Sequence, residues 1–264
     1  MPSPRVLILR APGTNCDVET AYAFQCAGAV TESVHINRLL ESGDLLPQFQ
    51  VLCIPGGFSY GDDLAAGRIL GSRIQHHLAD RLQEFRAAGK LMLGICNGFQ
   101  VLMKSGLLPD VVPSLATNST PAATLTWNDT GRFEDRWVRL AVAGERCVFL
   151  RGVERMYLPI AHAEGKFVAR DQPTLDALEE NGHLVLRYTS NGSVPGGQLG
   201  FPCNPNGSQR NVAGICDGSG RVLGLMPHPE RHIDPTQHPR WTRGEAAPTG
   251  DGLAVFRNAV EYLQ

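Results

Sequence analysis

Gly94-Ile95-Cys96-Asn97-Gly98-Phe99-Gln100, entered from the apolar run Leu91-Met92-Leu93, decides the fold. An apolar run, a cysteine between glycines at −2 and +2, and a helical pattern read as strand, sharp turn and helix. The turn holds its central residue in a strained conformation and leaves no room for side chains on either side. This is the thiol form of a nucleophile elbow. The sulfur stands above the end of a strand. The first amides of the helix, Asn97 first, face a charge forming beside it, and the helix dipole favours the thiolate. Taken alone, the pattern also fits a buried cysteine in an ordinary Gly-rich turn.

A second apolar run delivers polar chemistry near the other end: Val222-Leu223-Gly224-Leu225-Met226-Pro227-His228-Pro229-Glu230-Arg231. A cysteine nucleophile needs a base within hydrogen-bond reach, and the base needs an orienting partner. In an extended segment residues i and i+2 project to one side, which would pair His228 with Glu230. Pro229 fixes its own φ and biases His228 toward extended backbone. Glu230 is then expected to hold one imidazole nitrogen while the other faces Cys96. A solvated His-Pro turn is the blander account, and the joint occurrence at two strand ends argues against it.

Outward from these segments the chain alternates. Strands are predicted at 6–9, 34–36, 51–54 and 91–95. A helix is predicted from residue 17 to 27, capped by Thr14 or Asn15. A long helix carries Leu70, Ile74, Leu78, Leu82 and Phe85 at one-turn spacing, with Gly89 at its end. A last helix shows Leu253, Phe256, Val260 and Leu263 on one face. This β–α alternation predicts an α/β fold with a doubly wound, mainly parallel sheet and ligands at the carboxyl ends of its strands. Segments 124–127, 137–141 and 146–150 predict antiparallel additions. Residues 109–121 and 231–250, rich in Pro, Ser, Thr or Gly, read as linkers. The loop from 232 to 250, with Trp241, reads equally as disorder or as a docking surface.

Composition excludes several classes. The chain has 264 residues, 42% of them hydrophobic, and a net charge of −2. That is enough for one large core or a tight pair of domains, and no broad basic field suggests nucleic acid. No apolar stretch approaches a membrane span and no signal-peptide pattern precedes the first strand. The 7 cysteines are scattered without CxxC pairs. This argues against a disulfide framework or zinc site and for a reducing, cytoplasmic setting. There is no Walker-type loop and no GxGxxG, so the chain is not expected to use ATP by itself.

Cys96 in GICNGFQ, with His228 and Glu230 in MPHPER, resembles the catalytic triad of class I (triad-type) glutamine amidotransferases. Residues 11–17 (APGTNCD), 55–63 (PGGFSYGDD), 159–165 (PIAHAEG) and 204–208 (NPNGS) narrow the resemblance to one family. It comprises the glutaminase subunits of phosphoribosylformylglycinamidine synthase. The likeness runs from the first strand to the last helix. It implies one flavodoxin-like amidotransferase domain over residues 1–264, hydrolysing glutamine to glutamate and ammonia through a Cys96 thioester. It assigns Gly57 N–H to an oxyanion hole beside Asn97 N–H. Gln100, one turn up the helix face from Cys96, becomes a substrate-binding residue, against the blander reading of a partly solvated helix glutamine. The resemblance also implies a large synthase subunit that uses ATP and Mg2+ to convert formylglycinamide ribonucleotide to formylglycinamidine ribonucleotide in purine biosynthesis. A small accessory subunit comes with it. No cofactor or metal is implied for this chain.

Weaker features stay open. His162 and Glu164 match a family motif, but spacing gives them no role, and a structural contact fits as well. Asp62 and Asp63 read as helix caps, His76 and His77 as a solvated helix face, and Cys16, in a first-strand loop, either as a neighbour of the site or, the preferred reading, as a small filler. Three rival functions remain: a glutaminase serving another acceptor, a free-standing γ-glutamyl hydrolase, and a non-catalytic regulatory or binding module. PGGFSYGDD and NPNGS argue against the first. Full activity without a partner would mark the second. The intact Cys96, His228 and Glu230 argue against the third.

Overall fold

The structure, a computed structural model, describes residues 2–42, 44–110 and 121–264. The strands are β1 (Arg5–Arg10), β2 (Val30–His35), β3 (Val51–Ile54), β4 (Leu91–Ile95), β5 (Ala123–Thr126), β6 (Glu134–Val142), β7 (Arg155–His162), β8 (Lys166–Ala169), β9 (Leu186–Thr189), β10 (Val212–Cys216) and β11 (Val222–Leu225). The helices are α1 (Asp17–Cys26), α2 (Ile36–Glu41), α3 (Arg68–His77), α4 (Ala79–Ala87), α5 (Asn97–Lys104), α6 (Gln172–Glu180) and α7 (Leu253–Tyr262).

Nine strands form one sheet in the order β2-β1-β3-β4-β11-β10-β9-β6-β7, and β5 pairs with β8 separately. The five strands from β2 to β11 are parallel. The remaining four pair antiparallel. The expected α/β sheet is therefore present, with its parallel half in the flavodoxin-like order. β3, β4 and β11 are buried at every residue, as strands covered on both faces require. α1 and α7 are joined by an edge-to-face pair, Phe24 and Phe256, with centroids 4.9 Å apart. The sheet also curls. His228, just past β11, donates its N–H to Pro159 O of β7 at 2.9 Å, although three strands separate β11 from β7 in the sheet.

Several expectations need correction. The long helix is two, α3 and α4, broken at Leu78 (φ −127°, ψ −1°). Its one-turn spacing survives because Leu78 stays buried and still accepts from Leu82 N–H. β2 begins at Val30, not Val34, because an edge strand exposes the polar residues that hide it. Residues 146–150 are not a strand. Val148–Leu150 form a 3-10 turn packed under α7, where Asn258 Nδ2 donates to Phe149 O and Arg151 O. α1 is capped by Cys16, with no side-chain cap; Thr14 Oγ1 accepts from Ala11 N–H instead. Gly89, at φ +76°, follows α4 as expected. His76 and His77 are exposed. The first linker lies almost wholly outside the described residues. The second contains two short 3-10 turns, Pro235–Gln237 and Trp241–Arg243, with Trp241 exposed. No helix among the described residues is long and apolar enough to cross a membrane.

Candidate active site

Cys96 has φ 51° and ψ −105°, a strained conformation for a residue with a Cβ. Its glycine neighbours are sterically required. A Cβ on Gly98 would lie 1.8 Å from Ile54 O, and one on Gly94 2.6 Å from Gly98 O. Parallel pairing sets Ile95 beside Leu225. Cys96 N–H extends this pairing to Leu225 O at 2.8 Å. The thiol is almost buried and lies 3.5 Å from Ala161 O at the end of β7.

The same register carries β11 into His228, which is extended (φ −102°, ψ 91°). Residues 229–231 are not extended; they form a 3-10 turn that brings Glu230 back under the ring. His228 Nδ1 and Glu230 Oε1 are 2.6 Å apart. The carboxylate accepts, so the proton sits on Nδ1. Both side chains are buried, and His228 Nε2 and Glu230 Oε2 have no hydrogen-bond partner among the described residues. Burial opposes charge on His228, but the charges of Glu230 and then Cys96 outweigh it and raise the imidazole pKa well above its ordinary value.

The Gly56-Gly57 turn after β3 closes another wall. Gly57 has φ +139°, which only glycine adopts freely, and bridges Thr14. A Cβ there would lie 2.7 Å from Asn15 N. A Cβ on Gly56 would lie 2.8 Å from His228 Cε1 and 3.0 Å from Cys16 Sγ. Opposite, the first turn of α5, starting at Asn97, leaves backbone N–H groups without intrahelical partners.

Gln100 is buried, and its amide is engaged: Nε2 donates to Glu164 O at 2.7 Å and Oε1 accepts from Asn97 Nδ2 at 3.0 Å. Asn97 also donates to Asp62 Oδ1, and its own Oδ1 accepts from Ser59 N–H. Asp62 Oδ1 accepts from Gly67 N–H, but Gly67 itself is the N-cap of α3 and no side chain caps that helix, so neither Asp62 nor Asp63 caps it. Burial raises the Asp62 pKa against these bonds. Glu164 Oε1 accepts from Ala66 N–H.

His162 is buried under Gly165, where a Cβ would lie 2.2 Å from the ring. Its Nδ1 lies 3.2 Å from Asn128 Oδ1, and Nε2 is unpartnered among the described residues. Burial, then the charge of nearby His228, lowers its pKa to about 3. The NPNGS loop supports this turn from below: Asn206 Nδ2 donates to Gly165 O at 2.8 Å, and Ser208 Oγ accepts from Phe167 N–H at 2.9 Å. A groove of about 600 Å³ lies elsewhere, between β8, α6 and the NPNGS loop.

Arg231 escaped the sequence reading, and the preferred reading of Cys16 as a filler is overturned. Cys16 is buried against His228, and Arg231 bridges Cys16 Sγ (3.2 Å) and Glu19 Oε1 (2.8 Å). No local spacing announces either contact, since each joins residues more than 200 positions apart.

The site's geometry can be set beside known proteins. The CobB/CobQ-like glutamine amidotransferase domain family matches residues 3–263. The phosphoribosylformylglycinamidine synthase subunit PurQ of Dehalococcoides mccartyi is 45% identical over 265 residues, covering 100% of this chain and 99% of that protein. PurQ of Methanococcus maripaludis is 42% identical over 271 residues, covering 98% and 97%. A chain in the structure of PurLQS from Thermotoga maritima aligns over 100% of both chains, with TM-score 0.73 and 30% identity. On this full-length match the chain belongs to the CobB/CobQ-like glutamine amidotransferase family, alongside the PurQ subunits of phosphoribosylformylglycinamidine synthase.

Proposed function

We propose that this chain is the glutaminase subunit of a phosphoribosylformylglycinamidine synthase, acting as one amidotransferase domain over residues 1–264. The observation that carries this reading is the strained Cys96, at φ 51°, facing the buried His228–Glu230 pair joined at 2.6 Å. The Cys96 thiolate attacks the side-chain carbonyl carbon of glutamine. Asn97 N–H and Gly57 N–H stabilise the resulting oxyanion. His228 gives a proton to the departing nitrogen, and ammonia leaves. A γ-glutamyl thioester remains. His228 then takes a proton from water, which attacks the thioester and releases glutamate and the Cys96 thiolate. Glu230 holds the imidazole in the orientation this requires. Gln100 shapes the substrate pocket from α5.

The ammonia passes to a large synthase subunit that uses ATP and Mg2+ to convert formylglycinamide ribonucleotide to formylglycinamidine ribonucleotide. A small accessory subunit completes the complex. The full-length likeness to PurQ subunits supports these partners, and a cytoplasmic location follows from the pathway.

The test is Cys96→Ala in the assembled complex. Glutamine-dependent product is expected to vanish while ammonium-dependent product persists, because the synthase chemistry lies in the other subunit. A mutant with near-normal glutamate release would overturn the reading.

A further inference from the structure

Beside His228 stands a thiol that the reaction does not use. Cys16 is buried to the same degree as the triad, at 1% exposure against 2% for His228 and 1% for Glu230. One ligating atom from each of the three residues lies within 4.8 Å of the others. Sulfur, nitrogen and oxygen donors are the ligand types of tetrahedral zinc, whose bonds of about 2.0–2.3 Å set neighbouring donors about 3.3–3.8 Å apart. The donors, now up to 4.8 Å apart, would close by about 1 Å to reach that geometry. Two further observations point to a ligand. Among the described residues, His228 Nε2 and Glu230 Oε2 are buried without hydrogen-bond partners. The wall at Gly56 is bare backbone, where a Cβ would reach both His228 and Cys16.

The charges also fit. A Cys16 thiolate and the Glu230 carboxylate carry two negative charges, which a divalent cation neutralises in a site that tolerates no net charge. Burial raises the Cys16 thiol's pKa, so it is the metal that draws off the proton; Arg231 donates to Cys16 Sγ at 3.2 Å, and Glu19 balances the guanidinium at 2.8 Å. Without the metal, the Cys16 thiol donates to Asn15 Oδ1 at 3.2 Å.

We propose that Cys16, His228 and Glu230 form an inhibitory site for the thiophilic divalent cation Zn2+. On binding, the Cys16 proton and one ring proton of the His228 imidazolium go to solvent, and the imidazole lone pair so freed goes to the metal. The fourth position of the tetrahedron is left to water. His228 then has no lone pair and no aligned proton for the reaction, so glutamine hydrolysis stops until the metal is removed. The inhibitory consequence rests on the reading of His228 as the acid–base group; the metal site itself does not.

The two are separable by experiment. Co2+, as a spectroscopic stand-in for Zn2+, is titrated into the full chain carrying Cys96→Ala. One equivalent is expected to bind, with a thiolate-to-cobalt charge-transfer band in the near ultraviolet. Adding Cys16→Ala or Cys16→Ser should remove that band; two variants guard against one that fails to fold. In the assembled complex, micromolar Zn2+ should inhibit glutamine-dependent turnover reversibly with a chelator. Cys16→Ser should raise the inhibitory concentration at least about tenfold, each variant normalised to its own metal-free rate. A cobalt band that survives loss of Cys16 but not of Cys96, or no band in the Cys96→Ala chain, would overturn the site. Retained glutaminase activity in Cys96→Ala would instead overturn the functional reading and leave the cobalt result standing.

Discussion

At the residue scale, the chemistry depends on which groups are buried together. His228 is expected to carry the acid–base work and Glu230 to orient it. His228→Ala should lower kcat/KM by about 10²–10⁴-fold, and Glu230→Ala should lower it less, measured as glutamate release in the assembled complex. Wild-type activity in His228→Ala would remove the triad. His162 supplies a pH signature. Its folded pKa is about 3, below the ordinary value of about 6.5. Between those values the unfolded chain binds the extra proton, so stability present above pH 6.5 is lost as pH falls. The loss from this group between pH 7 and pH 5 is about 2 kcal/mol. Urea unfolding of wild type and His162→Gln at both values should show the variant less acid-sensitive by that amount. Equal sensitivity would show that His162 is not held neutral. The candidate triad was legible in the sequence because a nucleophile elbow and an HPE segment are local patterns. Cys16 was not, because its closeness to His228 depends on how the loops after β1, β3 and β11 converge.

At the scale of elements, α5 sits so close to β3 that Gly98 has no space for a methyl group, with Ile54 O only 1.8 Å from its would-be Cβ. A backbone carbonyl cannot swing aside as a side chain can. Gly98→Ala should destabilise the chain by about 1–3 kcal/mol and shift Asn97 and Cys96 with the helix, lowering activity as well. Gly196→Ala, facing open space, should stay within about 0.5 kcal/mol of wild type. Denaturant midpoints of the two variants check both expectations, and equal midpoints would show that α5 can move away from β3. Helices and central strands were readable because burial imposes period 3.6 or continuous apolar runs. The break at Leu78 was not, because both helices keep the same apolar stripe. The turn at Val148–Leu150 misled for the same reason: a short apolar run signals burial and not backbone shape.

At the scale of the whole molecule, the parallel half of the sheet brings β3, β4 and β11 to one edge, and the curled antiparallel half returns the end of β7 over them. Gly57 sits in this junction at φ +139°. A peptide flip there is cheap for glycine, which gives a partner subunit a means of aligning the oxyanion donors. Glutaminase activity of the lone chain should be low, rising at least about tenfold, roughly 1.4 kcal/mol, when the synthase binds its substrates. Glutamate release with and without the synthase and its nucleotide ligands checks this. Full activity of the chain alone would remove the coupling and favour a free-standing hydrolase.

The sequence by itself determined the α/β class, the parallel core and the elbow, and it singled out Cys96, His228 and Glu230 as the candidate triad. Each rests on local sterics or on periodicity, which a few consecutive residues express. Tertiary structure decided what distant segments do to one another. It set Cys16 and Arg231 against His228, held the PIAHAEG turn on the NPNGS loop through Asn206, and engaged the Gln100 amide between Asn97 and Glu164. These contacts are hydrogen bonds and packing between residues far apart in the chain. Their strength comes from burial, which no single segment carries in its own spacing.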